Sequence, residues 1–221
     1  MIYVTGDLHG DWDRLRSRAF RCLKKGDTLL VCGDFGFVWT GSKAEQSVLK
    51  KISKLKYNIL FVEGTHDNLD LLEQYPLEDW NGGQVRRLAP NLLWLQRGGV
   101  FTIEGKRIFA FGGGESTDLD ARLADGLWWE RELPSPEELA QARENLAAAG
   151  NQVDVILSHE SSSRVRHFLD MDRDHDNPLS AFFDEISDKV TYSHWYFGCY
   201  HLDKRVPPYY HALFTQLEPL E

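Results

Sequence analysis

The sequence predicts an α/β fold, and three observations predict it. Short β-prone apolar runs alternate with stretches whose apolar residues recur at helical spacing. The runs at Thr28–Cys32 and 153–157 are apolar almost throughout, the pattern of strands buried on both faces of a sheet. Five such runs end in a short polar stretch carrying Asp or His. In an open α/β sheet, the carboxyl ends of the strands are where ligands bind.

Ile2–Thr5 is the first run, and Gly6 ends it. Asp7 and His9 follow at i and i+2, where extended chain points both side chains the same way, so an oxygen and a nitrogen can converge on one cation. Gly10 leaves room for close approach to that site. Trp12, Leu15, Ala19, Cys22 and Leu23 then recur at helical spacing up to a stop at Gly26, which predicts one amphipathic helix. Thr28–Cys32 closes on Gly33-Asp34. Ser42 with Glu45 predicts a capping box, and Val48, Leu49, Ile52 and Leu55 form the buried stripe of the helix behind it. Asn58–Val62 leads into Glu63-Gly64-Thr65-His66-Asp67.

The middle of the chain reads differently. A turn at Asn81-Gly82-Gly83 precedes four short β-prone runs at 85–88, Leu92–Leu95, 100–103 and 107–111, the last two joined by a hairpin turn at Glu104-Gly105-Lys106. This predicts a largely antiparallel section facing the first sheet. Ser135, Pro136 and Glu138 mark a strong helix start, with an end at Gly150. The strand at 153–157 closes on Ser158-His159, and His194–Phe197 closes on Gly198-Cys199-Tyr200-His201.

Composition narrows the partners. A chain of 221 residues, 42% hydrophobic, fits one domain spanning 1–221, with no linker or repeat. The net charge of −9 argues against stable binding of duplex nucleic acid, although a local basic pocket can still hold a small phosphorylated substrate. Cys22, Cys32 and Cys199 have no tight spacing and read as reduced intracellular thiols. Without a signal peptide or an apolar run of membrane-spanning length, the expectation is a soluble, cytoplasmic protein making no membrane contact. Its oligomeric state is not legible.

Taken in order, Asp7-x-His9, Gly33-Asp34, Gly64-Thr65-His66-Asp67, Ser158-His159 and Gly198-Cys199-Tyr200-His201 resemble the calcineurin-like metallophosphoesterases, most of all the bacterial and phage members labelled protein-phosphatase-like. That family's pattern is D-x-H, G-D, G-N-H-[DE], a lone His, then G-H-x-H. The resemblance implies a four-layer α-β-β-α sandwich of two mixed sheets. It also implies hydrolysis of a phosphomonoester or phosphodiester by metal-activated hydroxide, with one or two divalent ions (manganese, zinc or iron) about 3.5–4 Å apart when paired. By the same resemblance Asp7, His9 and His201 hold the first ion and Asp34 bridges. His159, with positions 65 and 199, holds the second. His66 contacts the phosphate and protonates the leaving oxygen, and Asp67 orients that imidazole and favours its charged form.

The departures from the family pattern both fall on the second ion. Thr65 stands where the family has Asn, and Cys199 where it has His. A threonine hydroxyl is a poor neutral ligand, whereas a Cys199 thiolate suits zinc or ferrous iron. The alternative is a weakly active or non-catalytic relative, a binding or regulatory protein with an impaired second site.

Other features read as structural. His167, His175, His194 and His211 carry no motif, and the aromatic runs His194–Phe197 and Trp128-Trp129 read as core. The alternating Asp170, Asp172, Asp174 and Asp176 fail as a calcium loop, because His175 stands where glycine is needed and Ala181 where glutamate is needed, and they read as an exposed loop. Arg164 and Arg166 read as a solvated helix face rather than a phosphate grip. Gly112-Gly113-Gly114 lacks the Gly-Lys-Ser/Thr ending of a P-loop, and no nucleophile elbow is present.

Overall fold

The computed structural model describes residues 1–171, 175 and 177–220. The apolar runs become strands of two sheets. The first contains β1 (Ile2–Thr5), β2 (Thr28–Cys32), β3 (Asn58–Val62), β4 (Leu77–Trp80), β5 (Gly83–Ala89), β6 (Leu92–Leu95) and, from the far end of the chain, β13 (Leu217–Pro219). Its order is β13-β1-β2-β3-β6-β5-β4. The second contains β7 (Gly99–Ile103), β8 (Lys106–Phe111), β9 (Val155–Ser158), β10 (His194–Phe197), β11 (Lys204–Val206) and β12 (Tyr210–Ala212), in the order β11-β12-β10-β9-β8-β7. Both are mixed: β1, β2, β3 and β6 run parallel, as do β8, β9, β10 and β12, and the remaining strands pair antiparallel.

Side-chain alternation along the strands builds the layers. In β2, Leu30 and Cys32 point into a core between the sheets, where Leu60, Val62, Ile108, Ala110, Val155 and Leu157 meet them. Leu29 and Val31 point outward, to a core shared with Leu15 of α1 (Trp12–Arg16), Ile52 of α2 (Lys43–Ile52) and Leu69 and Leu72 of α3 (Leu69–Leu72). A short helix, α4 (Leu119–Asp125), follows the second sheet's first hairpin. On the far side, Phe109, Phe111 and Ile156 pack against α5 (Pro136–Ala148), α6 (Ser163–Phe168) and α7 (Pro178–Lys189). The result is the expected four-layer α-β-β-α sandwich. Truncating one of these fully buried leucines to alanine costs about 2–5 kcal/mol.

Several local expectations need correction. The predicted first helix is broken: α1 ends at Ser17, whose extended backbone (ψ 167°) precedes a separate 3-10 turn at Ala19–Cys22. The middle section is not one antiparallel unit facing the first sheet. β6 is buried on both faces and pairs parallel with β3, so β5 and β6 extend the first sheet, while the β7–β8 hairpin starts the second. Half of the Ser42 capping box forms: Ser42 Oγ accepts from Glu45 N at 3.3 Å, but the Glu45 carboxylate accepts from the Trp39, Thr40 and Gly41 amides instead. At Ser135 the full box is present, and Gly150 follows the helix with φ 73°.

Arg164 is exposed and paired with Asp188, whereas Arg166 is buried, not solvated. Trp129 joins the outer core, as expected. His211 is buried between Glu218 (3.0 Å) and His194 (3.1 Å), and His175 lies 2.8 Å from Glu115. Asp172, Asp174 and Asp176 lie outside the described residues. Among the described residues no helix is long and apolar enough to cross a membrane.

Candidate metal centre

Parallel strands of both sheets deliver their carboxyl ends to one edge, and the loops there hold each other. Leu8 N and His9 N donate to Asp34 O at 3.0 and 2.8 Å, joining the loops after β1 and β2. Gly198 N donates to His159 O at 3.0 Å, joining those after β9 and β10. Cys199 N donates to both Asp7 oxygens at 3.1 Å and so ties the two sheets together. This close approach explains two glycines: a Cβ on Gly64 would collide with Asp34 Oδ1, and one on Gly198 with Asp7 Oδ1. Gly10, by contrast, yields to backbone rather than to the site, since its Cβ would lie 2.6 Å from Gly36 O.

The loops converge on six side chains. Asp7, Asp34 and His159 are buried; His9, His66 and His201 are more open. His9 Nε2 lies 2.9 Å from His201 Nε2, which is 3.3 Å from Asp7 Oδ2. His159 Nε2 is 3.6 Å from Asp34 Oδ1, and His159 Nδ1 is 3.6 Å from Asp7 Oδ1. His66 Nδ1 lies 3.1 Å from Asp34 Oδ2, and its backbone N–H donates to Oδ1 at 2.7 Å. Three overlapping donor groups result, Asp7–His9–His201, His9–Asp34–His66 and Asp7–Asp34–His159, each with its ligand atoms within 4.8 Å of one another.

Strain collects in the same place. His9, Asp34, Cys199 and His201 have φ of 47°, 42°, 66° and 50°, the left-handed region that costs a residue with a Cβ about 1–2 kcal/mol. Such outliers persist where the surrounding structure over-determines them, and they cluster at functional sites. The model of the calcineurin-like phosphoesterase family matches residues 1–208. The chain belongs to that family. No curated protein matches it.

Calcineurin-like phosphoesterases bind divalent metals, and one atom here tests the fit directly. Among the described residues, His159 Nε2 is buried without a hydrogen-bond partner. Its other nitrogen donates to Cys32 O at 3.0 Å, which fixes the ring and directs Nε2 toward Asp34, where a cation can take the place of a proton. A carbonyl behind a histidine is the usual support of a metal-ligating imidazole. The donor set fits.

Electrostatics favour a cation at this edge. Burial opposes charge on His159, but Asp34, then Cys199 and Asp7, outweigh it and raise its pKa well above the ordinary value. Burial would likewise raise Asp34, yet His159 and His66 hold that carboxylate well below the usual range. His201 is raised chiefly by its hydrogen bond to Asp7; burial lowers His9 despite both carboxylates. Burial also pushes the Cys199 thiol up, against the pull of His159.

The remaining expected residues sit differently. Cys199 belongs to none of the three donor groups. The Thr65 hydroxyl faces His66 Nδ1 at 3.2 Å. Asp67 does not orient His66: its carboxylate accepts from the Phe35, Gly36 and Gly64 amides at 3.1, 2.8 and 3.0 Å. Burial, then the charge of Asp34, pushes its pKa up to about 7. Asp67 therefore staples the β2 and β3 loops, and the outer nitrogen of His66 faces Asp118 at 3.9 Å.

Sequence reasoning missed Asp118, which lies in a stretch without periodicity. It also missed Phe214, stacked on His201 at 4.4 Å, and Arg14, which donates to Asp7 O and Phe214 O. Trp39 was findable as an aromatic five residues past a strand-end aspartate; its ring centre is 6.1 Å from that of His66.

Proposed function

We propose that the chain is a metal-dependent phosphoesterase that cleaves a phosphomonoester or phosphodiester with water as the attacking group. The observation that carries this reading is the buried Nε2 of His159, without a hydrogen-bond partner among the described residues, beside Asp34 at the edge where Asp7, His9, His66 and His201 also meet. Asp7, His9 and His201 would hold one ion. Asp34 and His159 would contribute to a second, with Cys199 or Thr65 as further donors after a side-chain rotation. When bound, such ions polarise phosphoryl oxygens and acidify water. The chain's own groups do the rest. Asp34 fixes the His66 ring through Nδ1 and through the backbone. The opposite nitrogen of His66 is left half-exposed toward Asp118, where it can hold a proton for the leaving oxygen.

The net charge of −9 supports a substrate other than duplex nucleic acid, and the three unpaired cysteines support a cytoplasmic location. Phenyl phosphate and bis(p-nitrophenyl) phosphate, assayed with added manganese before and after chelation, test the activity. Hydrolysis that disappears on chelation and returns with metal is expected; activity unchanged by stringent chelation would refute the reading. A second reading, a binding or regulatory protein without turnover, is favoured by one observation: Cys199 enters no donor group while the Thr65 hydroxyl faces His66 Nδ1. It predicts no hydrolysis of either ester with any divalent metal.

A further inference from the structure

A hollow of about 640 Å³ beside Trp80, Gln84, Gln96 and Gln141 shares no residue with the strand-end loops. The chemistry lies instead at a cleft of about 410 Å³ lined by His9, Gly36, Phe37, Trp39, Val48 and His66. Two of its lining residues, His9 and His66, belong to the candidate metal centre, so a phosphoryl group held there would extend its substituent along the remaining wall. That wall is apolar and aromatic. Among the described residues its only charged side chain is Glu45, whose carboxylate is engaged by the Trp39, Thr40 and Gly41 amides and the Thr40 hydroxyl. Among the described residues no lysine or arginine lines the cleft, so there a second phosphate or a carboxylate on the leaving group finds no partner.

The Trp39 ring is partly buried and held in place. Trp129 meets it edge-on at 6.1 Å, and the buried Arg122 guanidinium lies 5.7 Å from its ring centre. Glu45 fixes the turn that carries it. A pre-organised indole beside a phosphate site gives a flat ring a stacking surface at little entropic cost.

We propose that this cleft is the leaving-group pocket and that it selects phosphoesters whose leaving group is an uncharged planar aromatic ring, with Trp39 as the specificity-determining residue. The proposal rests on the phosphoesterase reading. Its test compares phenyl phosphate with cyclohexyl phosphate in wild type, Trp39→Leu and Trp39→Phe. The ratio of variant to wild type for each ester cancels the intrinsic difference in leaving-group reactivity.

Trp39→Leu, which keeps apolar bulk but removes the ring, should lower kcat/KM for phenyl phosphate about tenfold, at the upper end of what one stacking contact supplies. It should change cyclohexyl phosphate less than about twofold, and Trp39→Phe should restore most of the loss. Equal effects on the two esters would overturn the proposal. A measurement independent of turnover, and of how the variants fold, is calorimetric binding of phenylphosphonate and cyclohexylphosphonate to the manganese-loaded wild-type protein. Phenylphosphonate should bind several-fold more tightly; equal affinities would overturn the aromatic pocket. If neither ester is hydrolysed, the phosphomonoesterase form of that reading fails, and the phosphonate comparison still decides the cleft.

Discussion

The two halves of the centre are built from the same residue types in opposite surroundings. In one half, His9 and His201 keep 32% and 51% of their side-chain surface exposed and lie within hydrogen-bonding distance of each other beside Asp7. In the other, His159 is 1% exposed and backed by a carbonyl, but Thr65 turns to His66 and Cys199 stays outside the donor groups. The open half has its full expected set of protein donors; the dry half has better-fixed donors but, of its expected set, only Asp34 and His159 stand in a donor group. Burial strengthens each charge interaction, yet a divalent ion needs several donors at once. Donor count therefore outweighs burial here, and the open half should be the tighter site.

The substitution with the largest effect erases the comparison. Asp34 faces both halves, so Asp34→Asn should remove metal from each and lower kcat/KM at least about a thousandfold, the several kcal/mol that metal-assisted catalysis supplies. Retention of wild-type metal content in this variant would show that Asp34 bridges nothing.

Next comes a change that should level the halves. Thr65→Asn combined with Cys199→His should raise occupancy of the buried half in manganese, since an amide oxygen and an imidazole suit that ion better than a hydroxyl and a thiol. Histidine tolerates the left-handed backbone at 199 better than most residues. The two changes should act non-additively because they would serve one ion. Additive gains, or none, measured by elemental analysis of each single and double variant, would separate the two positions from a common site.

The smallest effect lies outside both halves. The amide and hydroxyl donors around Glu45 outweigh its burial and hold its pKa below the ordinary 4.5. A depressed acid adds stability above its unfolded pKa and loses it as pH falls through the folded value. Glu45→Gln should therefore cost about 1 kcal/mol near pH 7 and progressively less below pH 4.5, with metal content unchanged. Denaturant melts at pH 7 and in acid check this; a pH-independent difference would contradict the charge-based account.

Much of this was legible in the sequence because strand-end motifs are local. The glycines, aspartates and histidines after β1, β2, β3, β9 and β10 are set by backbone that the flanking runs define. The break at Ser17 was not legible, since an α-helix followed by a 3-10 turn still buries Leu15 and Leu23, eight residues apart, as one helix would. Leu77–Trp80 hid its strand character, being an acidic edge strand with one exposed leucine. Asp67 looked like a partner for His66 because it follows it directly. In the folded turn its carboxylate points into the protein, to amides from two loops. Asp118 and Phe214 reach the site only through tertiary packing, which no local pattern encodes.

The central claim is the inequality of the two halves, and a manganese titration of the metal-stripped protein by calorimetry tests it most directly. Two binding steps should appear, with the first at least about tenfold tighter and selectively abolished by His201→Ala, while His159→Ala removes only the second. Two equal sites, or a tight site abolished by His159→Ala and untouched by His201→Ala, would contradict it.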